Sequence, residues 1–268
     1  MDLAYNRKSQ GERGSGGDAM RKITVINQKG GTGKTTTAVN LGAALSEMGR
    51  EILLVDLDPQ AGLTESLGVE TSGRPTVAEV LTREAEPREA FHALPHFTVL
   101  PSSPVLAETE KRILRERPSD YPLALKDALA GMRGFDFVLV DCPPSLGALS
   151  LMGMVYSGSL LIPLQTQYMA LNGLEKILGM MKTIREAGFP MEILGILPCM
   201  YDVRTSLSRQ VEEHLRETLR DKVFRTVIRQ SVSLAEAPAR SKDVLSYQPG
   251  GRGAEDYRAL AQEVLRHG

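Results

Sequence analysis

The chain has 268 residues, 42% of them hydrophobic and 24% charged, which suits the core and surface of one α/β domain. The net charge is −1, so no global basicity announces nucleic acid, and any such contact has to come from a local patch. Cys142 and Cys199 lack metal-ligand spacing and read as packing residues of a reduced, cytosolic protein. The longest apolar stretches are strand-length, which argues against a transmembrane helix, and the first twenty residues are too polar and glycine-rich for a signal peptide.

In chain order, residues 1–20 hold Gly11, Gly14, Gly16 and Gly17 and little that is apolar, so a disordered tail is expected there, with one domain over 21–268. The β-branched run Ile23-Thr24-Val25-Ile26 predicts a strand, and residues 38–45 predict a helix that ends near Gly49. Further strands are expected at 51–56, 97–101, 135–141, 160–163 and 193–197. Helices are expected at 76–81 with Thr76 as N-cap, 104–115, 121–132, 170–187, 206–219 and 254–266. The strands alternate with helices and are almost continuously apolar. That pattern predicts a doubly wound, mostly parallel sheet with helices on both faces, the P-loop NTPase architecture.

The segment between the first strand and helix carries the chemistry. It reads Asn27-Gln28-Lys29-Gly30-Gly31-Thr32-Gly33-Lys34-Thr35-Thr36-Thr37. Strand, glycine-rich turn and helix start are the context of a phosphate-binding loop. Gly30, Gly31 and Gly33 let backbone N–H groups of the loop, Thr32 included, approach phosphates closely. The helix N-terminus adds unpaired donors and the positive end of its dipole. Lys34 is placed to reach the β- and γ-phosphates, and the Thr35 hydroxyl to hold Mg²⁺. Gln28 replaces the first glycine of the usual pattern, and a second lysine, Lys29, stands near the loop's start. Two strand-end acid motifs follow, Asp56-Leu57-Asp58-Pro59-Gln60 and Asp141-Cys142-Pro143-Pro144-Ser145. Asp58 is the candidate for the attacking water or the Mg²⁺ shell, Asp56 for anchoring the loop or a metal-bound water, and Asp141 for holding Mg²⁺ through water.

These three motifs resemble the ParA/Soj family of DNA-partitioning ATPases, within the ParA/MinD superfamily with its deviant Walker A loop. The likeness continues through residues 165–171, 200–207, 234–238 and 253–257, and so spans about 21–268. It implies ATP and Mg²⁺ as cofactors, with Lys29 bridging an ATP-dependent homodimer and Gly30 allowing close approach of two subunits. It implies that Lys34 binds phosphate, Thr35 binds Mg²⁺, Thr36 contacts the α-phosphate, Asp58 serves hydrolysis and Asp141 is the Walker B acid. It further implies nonspecific double-stranded DNA and a ParB-type centromere-binding protein as partners, in a nucleoid-associated, cytoplasmic setting without membrane contact.

Some positions depart from the family pattern. Gln230 and Ser233 stand where arginines are common, and Gln167 and Asn172 where glutamates are common. Arg204 keeps a position associated with DNA, and Arg229 and Lys242 are possible substitutes for the missing arginines. From Arg204 to Lys242 nine cations face five carboxylates, a modest basic excess. Fewer phosphate contacts per subunit are therefore expected than in a typical relative. A MinD-like membrane-cycling ATPase is the alternative, and it calls for a C-terminal amphipathic helix with aromatic or lysine anchors. Residues 260–268 lack such anchors and read as a helix that packs on the domain. An iron–sulfur reductase needs cluster cysteines that the chain does not supply.

Overall fold

The computed structural model describes residues 20–166 and 171–267, with backbone alone at 171 and 172. The expected tail up to residue 19, the Gln167 position and the Asn172 side chain lie outside the described residues. The strands are β1 (Arg21–Val25), β2 (Ile52–Asp56), β3 (His92–Ala93), β4 (Thr98–Leu100), β5 (Phe137–Asp141), β6 (Ser159–Gln165), β7 (Glu192–Tyr201) and β8 (Ile228–Arg229). They form one sheet in the order β3-β4-β2-β5-β1-β6-β7-β8, parallel throughout except for the antiparallel β3–β4 pair. The helices are α1 (Lys34–Glu47), α2 (Gly62–Ser66), α3 (Val77–Leu81), α4 (Val105–Glu116), α5 (Ala124–Ala128) and α6 (Ala148–Ser157). They continue with α7 (Leu171–Glu186), α8 (Ser206–Leu219), α9 (Val232–Glu236), α10 (Val244–Tyr247) and α11 (Arg252–Arg266).

The central strands are buried along their whole length, and the alternation of their side chains divides the core in two. Leu53, Val55, Val138, Val140 and Ile162 face one side, where residues of α3 to α7 cover them. Ile23, Val25, Leu54, Leu139 and Leu161 face the other, under α1, α10 and α11. Gly42 lets α1 lie close to the sheet, because a Cβ there would stand 2.9 Å from Leu54 Cδ2. The expected Thr76 cap is present as a capping box with Glu79. Helix α11 spends its apolar face, Tyr257, Leu260, Ala261 and Val264, on the second core. No helix among the described residues is long and apolar enough to cross a membrane.

The structure departs from the expected elements at several places, the short helices α2, α9 and α10 among them. The helix expected at 121–132 is a 3₁₀ turn over Tyr121–Leu123 followed by the five-residue α5. Pro122 lies in the first turn, where no intrahelical N–H is needed, and the helix stops short of Met132 where Gly131 takes a φ of +75°. Helix α6, which sequence patterning left unassigned, is buried almost all round and has no polar face to mark its period. The two-residue strands β3 and β8 close the sheet's edges and are too short to carry an alternation signal.

Candidate functional site

Strand order brings the acids together. β1 lies between β5 and β6, and β5 between β2 and β1, so the chain changes direction across the sheet at β1. Ligands of open α/β sheets bind at the carboxyl ends of strands beside such a switch point. The register sets Val25 against Asp141 and Asp141 against Asp56, a single row at the ends of β1, β5 and β2. The loop of residues 27–33 rises directly from that row into α1.

Gly31 and Gly33 adopt positive φ of 70° and 89°, the left-handed region a side chain resists, and open space surrounds both. Lys34 opens α1 and is 7% exposed. Its ammonium donates to the Lys29 carbonyl at 3.3 Å. Burial lowers the Lys34 pKa, while the charges of Asp141 and Asp58 oppose that shift. The Thr35 hydroxyl donates to Asp141 Oδ2 at 2.6 Å. Asp141 Oδ1 is buried without a hydrogen-bond partner among the described residues. Burial, and then the neighbouring Asp56 charge, push the Asp141 carboxyl well above its ordinary range; Thr35 and Lys34 counter this only in part. An orphaned buried carboxylate oxygen beside a threonine hydroxyl and a lysine fits a magnesium that arrives with phosphates. Among the described residues no group of three His, Cys, Asp or Glu could form a metal cage alone.

Asp56 is occupied by the fold. Its Oδ2 accepts from the Thr64 N–H at 2.9 Å and the Thr64 hydroxyl at 2.7 Å, and its Oδ1 from the Asp58 N–H at 3.1 Å. It therefore pins the start of α2, in keeping with its expected anchoring role. Asp58 is half-buried, and among the described residues its carboxylate accepts only from the Gln60 N–H, at 2.9 Å. The turn it leads brings Gly62 next to the Thr35 hydroxyl, 3.9 Å from a Cβ placed there.

A cavity of about 330 Å³ adjoins the loop at Gly33 and Thr36. Cys199, Met200, Ile228, Leu234 and Tyr257 make most of its wall apolar, and Gln230 and Ser231 give it a polar margin. Sequence reading missed these lining residues. They come from β7, β8, the turn after it, α9 and α11, more than 160 positions beyond the loop. Gln165 was missed likewise, though its side chain joins Lys29 to the loop.

The proposed DNA residues are only partly assembled. Arg204 and Arg229 line one groove together with Gln230 and Arg252, whereas Lys242 does not line it. Arg204 is highly exposed and paired with Asp202 at 2.9 Å. Arg229 is engaged inside the fold, its guanidinium donating to Asp256 at 2.6 Å and to Glu255 at 3.2 Å. Ser233, which stands where arginines are common in the family, is buried, and its hydroxyl meets that of Ser231 at 2.8 Å. Both cysteines are buried free thiols; burial pushes Cys199 up to about 12 and Cys142 higher.

A family model described as an AAA domain matches residues 20–193. The chromosome-partitioning ATPase Soj of Thermus thermophilus is 42% identical over 92% of this chain and 96% of its own length. The sporulation initiation inhibitor protein Soj of Bacillus subtilis is 39% identical over 92% of this chain and 98% of its own. The chain belongs to the Soj/ParA family. It is a P-loop ATPase of that family, and its fold agrees. A cobyrinic acid a,c-diamide synthase structure from Mycobacterium smegmatis, with bound ATP analogue and magnesium, superposes with TM-score 0.79 at 37% identity. That match covers 93% of this chain and 96% of the other.

Proposed function

We propose that this Soj/ParA member is an ATP-dependent DNA-partitioning switch. The observation that carries this reading is the single row of Val25, Asp141 and Asp56 beneath the glycine loop, with Thr35 bonded to Asp141. The loop backbone from Gly30 to Gly33 would cradle the phosphates of ATP, with Lys34 as the point charge on them and Thr36 at the α-phosphate. The cavity beside Gly33 and Thr36 has the size and apolar wall for the adenine ring. Thr35 would hold Mg²⁺, with Asp141 and Asp58 in its water shell; when bound, the ion neutralises phosphate charge. Asp58, which its surroundings leave partly free, would orient water for hydrolysis. Lys29 is exposed at the mouth of the loop and would cross to the nucleotide of a second copy. The closed homodimer would join two surfaces carrying Arg204, with Lys242 and Arg229 as lesser contributors, and bind double-stranded DNA without sequence preference. A ParB-type protein would stimulate hydrolysis and release the dimer, placing the protein on the nucleoid in the cytoplasm. The packed apolar face of α11 favours this reading over membrane cycling.

The deciding experiment is fluorescence anisotropy on a DNA duplex with ATP, with ADP and without nucleotide. Binding is expected only with ATP, and Lys34→Ala is expected to abolish it along with ATP affinity. Equal binding in all three conditions, or none with ATP at low salt, would remove the partitioning reading.

A further inference from the structure

The phosphate loop is tied to β6 at two places. Asn27 makes the first tie, with its Nδ2 donating to the Pro163 carbonyl at 2.6 Å and its Oδ1 accepting from the Lys29 N–H at 3.1 Å. That pair already fixes the backbone where the loop leaves β1. Gln165, the last residue of β6, makes the second tie, through side chains. Its Oε1 accepts from Lys29 Nζ at 3.0 Å, while its Nε2 donates to the Gly31 carbonyl at 2.7 Å and faces Met200 Sδ at 3.2 Å. An exposed lysine on a four-carbon stem gives up much rotamer freedom to hold one position. The Gln165 amide is what holds it, and it faces the same loop that phosphates would enter.

We propose that Gln165 is a positioning residue for Lys29, keeping its ammonium on its own subunit's loop until a second copy presents phosphates. The inference rests on the reading of Lys29 as the lysine that crosses between subunits. A neutral amide oxygen is a fitting acceptor for this task. It orders the ammonium, yet holds it less tightly than a carboxylate does, so the bond yields to a phosphate. The amide donor to Gly31 links that release to the loop, and its contact with Met200 links it to the wall of the adjoining cavity. Dimer assembly then includes one defined cost, the breaking of the Lys29–Gln165 bond, and Gln165 sets how readily ATP-loaded monomers pair.

The test is sedimentation equilibrium of the full chain with a non-hydrolysable ATP analogue and Mg²⁺. Gln165→Leu removes the acceptor, so the dimer dissociation constant is expected to fall roughly threefold. Gln165→Glu replaces the amide oxygen by a charge, so the constant is expected to rise roughly tenfold. Both variants lose the donor to Gly31, and a merely structural role would move both in the same direction. Monomer affinity for the analogue, measured by calorimetry in parallel, confirms folding and accounts for repulsion between the introduced carboxylate and the nucleotide. Gln165→Met takes the place of the leucine variant if branching disturbs the strand end. In a Lys29→Ala background the gap between the Leu and Glu variants is expected to close. Shifts of the same sign, or a gap that survives in Lys29→Ala after that correction, would overturn the proposal. Wild-type dimerisation by Lys29→Ala alone would instead overturn the cross-subunit reading beneath it.

Discussion

Asp56 and Asp141 lie side by side at the ends of β2 and β5, both fully buried, and this pairing makes the site pH-sensitive. Burial raises Asp56 to about 6 from 3.8, against the opposing hydrogen bonds from Thr64 and Asp58. Between those values the folded chain binds a proton that the unfolded chain has already released. The Asp56 contribution is therefore complete below about pH 4 and is lost as the pH rises through about 6. A shift of about two units corresponds to roughly 2–3 kcal/mol. Asp56→Asn is expected to make the decline shallower, because its carbonyl still accepts from Thr64 and carries no charge at any pH, while Asp141, also raised by burial, still titrates. Urea unfolding of the nucleotide-free protein at pH 4, 5, 6 and 7 checks it; parallel pH profiles for the two proteins would count against the assignment. Each acid was visible in the sequence as a polar residue closing an apolar run. Their adjacency was not, because it depends on β5 entering between β2 and β1. Gln165 and Met200 fall within the family likeness, but their side-chain contacts were not legible, since their part in the site comes from where β6 and β7 end.

At the scale of elements, the sequence was most legible where burial is one-sided or bounded by punctuation. The capped α3, the long α8 between Thr205 and Arg220, and the strands before the glycine loop and the Asp141 turn match their expected places within a few residues. Helix α6 escaped because Met152, Met154, Val155 and Tyr156 are all buried, which leaves no contrast between faces. The edge beyond β7 depends on a packing arrangement that local pattern cannot reveal. Gly195 in β7 receives the Phe224 ring so closely that a Cβ there would lie 2.3 Å from its Cε2. Phe224 is itself buried, and its N–H donates to the Ile196 carbonyl at 2.9 Å. Gly195→Ala is thus expected to cost about 1–3 kcal/mol by forcing the ring aside. The urea midpoint should fall with little change in slope. An unchanged midpoint would mean that Phe224 relocates freely.

For the whole molecule, charge matters by place rather than by sum. The excess of nine cations over five carboxylates between Arg204 and Lys242 is reduced once partners are assigned. Arg229 and Arg204 are met by Asp256 and Asp202, acids outside that count, whereas the Arg216–Glu212 and Lys222–Asp221 pairs lie within it and leave the excess unchanged. The Arg204 pair is solvent-exposed, and such pairs hold too weakly to withhold a guanidinium from a phosphate. Arg204→Glu is accordingly expected to weaken ATP-dependent DNA binding while leaving ATP affinity unchanged. The log–log salt slope should become shallower by roughly 0.9 for each phosphate that the variant leaves unneutralised. An unaltered slope in a salt titration would place the DNA surface elsewhere. The sheet's margins bear on assembly in another way. Among the described residues the edge strands β3 and β8 are two residues each, so neither of them is by itself long enough to template a foreign strand. Short edge strands of this kind lessen the polymer-forming hazard common to open sheets.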